Sequence, residues 1–262
     1  MQTHSCERIA DEASIRDDGA GDIDIATKCE EYAARANLYR LFGGVFIEEP
    51  AGEFLANLRS NAVLAALAQM GAGFDEDFLN PAQADLEHAL ACEYTVMFAT
   101  SGGLPPVESV RLQGGYHQAA HTAVKQFYRE HGFTVKPGRF RVFEDNLGAE
   151  LLFVAALLDR ARAAAEAGDA AEDLRMVKSI RRFWVQHLGR WIRGYCSLVE
   201  RASEHSFFRE MARLTRHFAE MELEAMRLNV EDDDGGRLEH PVPEFKEQEG
   251  DGPVCGQLPS RG

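Results

Sequence analysis

The chain has 262 residues, 45% hydrophobic and 27% charged, the balance of a soluble globular protein large enough for one substantial core or two small ones. Its formal net charge of −15 sits mostly at the ends: residues 1–30 hold eight acids and three bases, residues 231–262 hold nine acids and three bases, and the middle carries only −4. That distribution argues against nucleic acid as a partner, since a phosphate-binding surface needs clustered Lys and Arg, and tolerates a basic peptide.

In chain order, residues 1–29 are polar, acidic and without period, and read as a disordered arm. A first helix is expected over about 30–46 on the stripe Tyr32, Ala36, Tyr39 and Phe42, with Gly43 and Gly44 blurring its end. A second runs from Pro50 to Met70. A third starts at Asn80 and Pro81, a plausible N-cap and first-turn pair, and carries Leu86, Leu90, Tyr94 and Met97 towards a break at Ser101, Gly102 and Gly103. Pro105 and Pro106 then fix φ and remove two donors, so Leu104–Val107 is expected to be extended. A helix over Tyr116–His131 closes at Gly132, and 133–143, FTVKPGRFRVF, reads as a linker. Beyond it come helices over about 145–167, 170–195 and from Phe207 to Leu228, the last following Phe207, Met211, Leu214, Phe218, Met221, Ala225 and Leu228. The expectation is an all-α bundle of about seven helices in two halves, 30–136 and 137–230, joined by a hinge, followed by a disordered acidic tail over 231–262.

Most catalytic chemistry finds no pattern. Five cysteines, Cys6, Cys29, Cys92, Cys196 and Cys255, are odd in number and lack a CxxC pair, which fits a reducing compartment rather than a disulfide framework or zinc knuckle. A di-iron bundle needs Glu-x-x-His motifs, and none occurs; the nearest, Asp85-x-x-His88, is single. His117 and His121 share a helix face at i and i+4, either as a packed pair or as part of a metal-dependent enzyme, without an obvious third ligand. There is no phosphate loop and no GxSxG elbow. The sequence starts acidic without an apolar signal core, and no run reaches the roughly 18 apolar residues of a membrane span, so a cytoplasmic, non-catalytic protein without metal or cofactor is expected.

Two stretches suit binding. Tyr94, Phe98, Leu104, Pro105, Pro106 and Val107 offer apolar surface beside Glu108 and Ser109. Glu144, Asp145, Asn146 and Glu150 open a helix, where they either cap it or place negative charge beside an apolar groove. Trp184 and Trp191, seven apart, read as core.

On these residues the chain resembles the TorD-like family of cytoplasmic maturation chaperones for molybdenum-containing redox enzymes. Glu93-Tyr94-x-x-Met97-Phe98 with Leu104-Pro105-Pro106-x-Glu108-Ser109-Val110 is similar to the family's aromatic motif and proline loop. Glu144-Asp145-Asn146-Leu147-Gly148-x-Glu150-Leu151 is similar to its Glu-Pro-x-Asp-His-x-x-x-Glu-Leu hinge motif, and Phe183-Trp184-x-x-His187-Leu188-x-x-Trp191 with Phe207-Phe208 to its C-terminal helices. The resemblance spans about residues 30–228. It implies a chaperone that binds the twin-arginine leader and apo form of a molybdoenzyme precursor and delays export until the molybdopterin is inserted, as a monomer or domain-swapped dimer. It also implies leader binding at Tyr94, Phe98, Leu104, Pro105, Pro106, Glu108, Ser109, Glu144, Asp145 and Asn146, with the leader's arginines meeting the acids. An accessory subunit retained in a redox complex is the other protein-binding reading. Asn146 stands where the family usually has histidine, and Arg111 where an aromatic is common, the latter being expected beside the groove.

Overall fold

The computed structural model describes residues 25–135 and 142–239. Every regular element among them is helical: α1 (Ile25–Ile47), α2 (Gly52–Leu58), α3 (Asn61–Gln69), α4 (Glu76–Leu79), α5 (Gln83–Tyr94), α6 (Glu108–Gln113), α7 (Ala119–Glu130), α8 (Leu147–Glu166), α9 (Ala170–Gln186), α10 (Ile192–Ala202) and α11 (Ser206–Ala225). A π-helical turn at Thr95–Ala99 extends α5, and a 3-10 turn at Leu188–Arg190 separates α9 from α10. The all-α class is as expected. The seven expected helices become eleven because local capping and side-chain pairing break the longer periodic runs.

Helices α1 and α8 form the spine. Gly43 and Gly44 lie inside α1 rather than at its end, and they have a packing reason. A Cβ on Gly148 would stand 2.6 Å from the Ile47 nitrogen and 2.7 Å from the Gly43 carbonyl oxygen, so the two helices cross backbone on backbone. Around this crossing Tyr39, Phe42 and Phe46 of α1 meet Leu151, Val154 and Leu158 of α8 in one buried core with Phe207, Met211 and Phe218 of α11. Trp184 is core, as expected, and its indole N–H donates to the Tyr39 hydroxyl at 2.8 Å, which in turn donates to Glu222 at 2.6 Å. Arg35 binds the same carboxylate with two hydrogen bonds of 2.9 and 2.7 Å. This network turns α11 so that Glu222 faces inward and Met221, expected on the apolar stripe, is 61% exposed.

Several expected boundaries shift for identifiable reasons. Ser60 accepts from the Val63 N–H and starts α3, dividing the expected Pro50–Met70 helix. Asn80 ends the short α4 instead of capping the next helix, its N–H donating to Glu76 at 3.1 Å. The run 170–195 breaks at His187, whose side chain turns towards Glu108. Gly189 permits the sharp turn there, since a Cβ would lie 2.7 Å from the Trp184 carbonyl.

Helices from both sides of 133–143 share the core, α1 lying along α8; the expected hinge falls largely on residues 136–141, outside the described residues. Residues 1–24 of the expected arm and 240–262 of the expected tail also lie outside them. The remainder of each is folded: 25–29 belong to α1, and 231–239 pack onto the C-terminal helices. There Asp234 is fully buried and paired with Arg111 at 2.6 Å, Asp233 with Arg190 at 2.6 Å, and Asp232 accepts from the Gly194 N–H at 2.8 Å. The three aspartates of the acidic run, expected to be part of a disordered tail, are each paired with an arginine or a backbone donor.

Candidate peptide-binding groove

The apolar stripe of α5 runs into the π-helical turn, closed by the Thr100 N–H donating to Thr95 at 3.0 Å. Widening the helix by one residue changes the faces that follow it: Phe98 is buried, and Val96 is 65% exposed on the other side. Phe98 packs edge-on against Tyr94 at 5.0 Å between ring centroids, and the Tyr94 hydroxyl donates to the Phe46 carbonyl at 3.3 Å. Gly103 sits where a Cβ would meet the Met97 carbonyl at 2.6 Å, so the chain turns tightly back over the π turn.

The proline loop is not helical, as expected, but it turns at Pro106, where the Val107 N–H donates to the Pro105 carbonyl at 2.9 Å, and it is fixed at both ends. Tyr195 donates to the Leu104 carbonyl at 2.8 Å, and Val107 pairs with Asn146 in an isolated antiparallel bridge, with Leu147 N–H donating to Pro106 and Glu108 N–H to Asp145, each at 2.9 Å. Asn146 caps α8 through its side-chain oxygen, which accepts from the N–H groups of Gly148 at 2.8 Å and Ala149 at 3.4 Å. Backbone bonds therefore join the two motifs at the loop and the helix start.

Between them opens a groove of about 360 Å³ whose walls include Tyr94, Phe98, Pro105, Pro106, Val107 and Asn146. Ile47, Glu49, Tyr116 and Phe143 also line it, and none of these four was assigned to the site from sequence. Tyr116 and Phe143 stack at 4.7 Å and 26° to form one wall. The signal for them was present as two aromatics on either side of α7, but Tyr116 reads as the start of that helix and Phe143 as linker. The helix begins only at Ala119, because His117 adopts a left-handed backbone with φ +59°.

Leu104, Glu108, Ser109 and Asp145 lie under the groove rather than in it. Asp145 is 0% exposed and accepts from the Ser109 N–H at 2.9 Å; Glu108 is 1% exposed and bonds to His187 Nδ1 at 2.9 Å. Glu150 joins them and accepts weakly from Trp191 at 3.4 Å. Burial, then the charges of Glu108 and Asp145, push the Glu150 carboxyl well above the usual carboxylate range. The cluster thus ties α6, α8 and the α9–α10 junction together. Glu144 points elsewhere: it bonds to His121 at 2.9 Å and Lys125 at 3.0 Å, which hold its carboxyl down at about 2 against the opposing effect of partial burial. The expectation that Asp145 offers surface charge to a ligand is corrected by its burial, and Glu144 is committed to a cation of its own chain. Arg111, expected beside the groove, is buried with Asp234. His117 and His121 stand 4.8 Å apart against Phe143, and no group of three or more His, Cys, Asp or Glu placed to hold one metal ion occurs among the described residues.

The described residues form an all-helical bundle with a groove lined by aromatic side chains and prolines. The model of the nitrate reductase delta subunit family matches residues 47–197, from the groove edge of α1 into α10, and the chain belongs to that family of TorD-like redox enzyme maturation proteins. A solved structure described as a putative redox enzyme maturation protein from Archaeoglobus fulgidus is similar, at 21% identity over 71% of this chain and 93% of that one, with a TM-score of 0.45. No curated protein matches the sequence. No helix among the described residues is long and apolar enough to cross a membrane.

Proposed function

We propose that this protein is a maturation chaperone that binds the twin-arginine leader of a molybdoenzyme precursor in the groove and holds back export until the molybdopterin is inserted. The observation that carries the proposal is the groove itself: four aromatic side chains and two prolines line a cleft whose floor is fixed by backbone bonds to α8. A rigid apolar cleft of this size takes a short apolar segment without ordering itself first, so little affinity is lost to immobilisation. Micromolar binding, about −8 kcal/mol, holds a precursor reversibly and releases it. The protein acts in the cytoplasm on the uncleaved precursor and catalyses no reaction.

The test is affinity capture with the tagged full-length protein from its own cytosol, followed by mass spectrometry. Recovery of a molybdoenzyme precursor with its leader intact is expected. Recovery only of the mature, cofactor-loaded enzyme in a stable complex would instead make the protein a retained accessory subunit, and recovery of no redox-enzyme subunit would overturn the proposal.

A further inference from the structure

Glu108 of α6 and Glu150 of α8 meet under the groove, both fully buried, and their side chains are hydrogen-bonded to each other. One oxygen of each is engaged elsewhere: Glu108 Oε2 by His187 Nδ1, and Glu150 Oε2 by the Trp191 indole N–H. Among the described residues no other group bonds to Glu108 Oε1 or Glu150 Oε1. An ionised carboxylate can only accept, so two carboxyl groups bond to each other only when one of them carries a proton.

The groups packed around the pair favour keeping that proton. Asp145, just before α8, is buried with Oδ2 on the Ser109 N–H and Oδ1 unbonded. Tyr128 of α7 is buried with its hydroxyl unbonded, and burial, then the charges of Glu150, Asp145 and Glu108, push its phenol well above the usual range. Tyr116, in the groove wall, also feels the charge of Asp145. Glu144 is paired with Lys125 and His121 of α7, and Arg111, one turn along α6, with Asp234. Among the described residues, His187 at the end of α9 is the one basic side chain bonded to the three buried carboxyls. Three carboxyls against one imidazole, out of solvent, hold a proton that a solvated carboxylate would release.

The pair also joins two parts of the groove. Glu108 directly follows the proline loop, Glu150 lies in the first turn of α8, and the same two elements are tied by the backbone bonds from Leu147 to Pro106 and from Glu108 to Asp145. We infer that Glu108 and Glu150 share one proton, and that this proton fastens the proline wall of the groove to α8. Its loss leaves a second negative charge in the pair, which drives α6 from α8 and so parts Pro106 and Val107 from Asn146. Peptide held at neutral pH is released as the pair ionises. The link to the peptide rests on the leader-binding reading; the shared proton stands apart from it.

The test reads proton and peptide separately on the full chain. Infrared difference spectroscopy of wild type against Glu150→Gln detects the proton, because a protonated carboxyl absorbs apart from carboxylates. A protonated-carboxyl band is expected in wild type at neutral pH, missing from Glu150→Gln and fading as pH rises. Calorimetry follows a synthetic peptide, blocked at both ends, with an Arg-Arg pair before a short apolar stretch. Its affinity for wild type is expected to fall by up to about tenfold per pH unit as the band fades, the limit for one linked proton, and to stay level for Glu150→Gln, whose amide can still donate to Glu108. Absence of the band from wild type at neutral pH would overturn the shared proton, and this comparison stands even if the variant does not fold. A band that outlasts the folded state, or one whose loss leaves peptide affinity unchanged, would overturn the fastening. A band without peptide binding at any pH would overturn the leader-binding reading and leave the shared proton in place.

Discussion

At the scale of single residues, the groove and its floor obey different physics, and substitutions separate them. Tyr94 gives the groove an apolar ring, and its hydroxyl is bonded to the Phe46 carbonyl. Tyr94→Ala is expected to weaken peptide binding by about 10- to 100-fold, the range for removing a buried aromatic anchor. The loss should be the same at low and high salt, which titration at both checks. Glu150 belongs to the floor. Its carboxyl titrates above its ordinary value of 4.5 because burial and the charges of Glu108 and Asp145 disfavour the anion. The folded state therefore binds a proton that the unfolded chain releases above about pH 4.5. The stability this proton provides is complete below that pH and is lost as pH rises towards the folded-state value. Glu150→Gln removes the proton exchange while keeping a neutral polar side chain. Its urea midpoint is expected to fall less steeply than that of wild type between pH 5 and pH 9. Parallel pH profiles would show that Glu150 is ionised in the folded protein.

At the scale of elements, the α1–α8 crossing is the contact on which the groove depends, because Ile47 ends α1, Glu49 follows it, and Asn146 caps α8. Gly148→Ala places a methyl group 2.6 to 2.8 Å from Ile47 and Gly43 backbone atoms, where no flexible side chain yields. A loss of about 1–3 kcal/mol is expected, measured by chemical unfolding, since overpacking moves backbone. The nearby Gly44→Ala faces the Phe54 ring at 2.8 Å and can be relieved by rotation of that side chain, so it should cost less. How much of this was legible follows from what periodicity records. It gave the apolar faces of α1, α8 and α11, and the Ser-Gly-Gly and Pro-Pro breaks gave the loop, because these depend on local backbone preference. It missed α6 and placed Met221 rather than Glu222 inward, because both depend on partners far away in sequence: the bridge to Asn146 for one, Arg35 and Tyr39 for the other. In the same way Asp145 reads as surface charge, although the Ser109 N–H holds it inside. Carboxylates beside a helix N-cap are usually exposed, and nothing in the local sequence marks Asp145, which precedes the Asn146 cap, as an exception.

At the scale of the whole molecule, the segment 231–239 works as a strap. It joins Arg111 of α6 to the α9–α10 region, with Asp234 and Arg111 both out of water and the Arg111 guanidinium also donating to the Arg237 carbonyl at 2.6 Å. Removing one member of a buried ion pair leaves the other uncompensated. Asp234→Ala is therefore expected to lower stability by about 3–5 kcal/mol, and Arg111→Met/Asp234→Leu to restore much of the loss. Thermal melts of the three proteins test this, and equal melting temperatures for Asp234→Ala and wild type would show that the pair contributes nothing.

The backbone crossing of Gly43 with Gly148 has a further consequence in time. Helix α1 has no partner for its glycine-notched face until α8 exists, about a hundred residues later, which at ribosomal rates of roughly 5–20 residues per second is a wait of several seconds. During that interval Tyr39, Phe42 and Phe46 are translated before the α8 residues that share their core, so the nascent chain carries an uncovered aromatic face for as long as α8 is unmade.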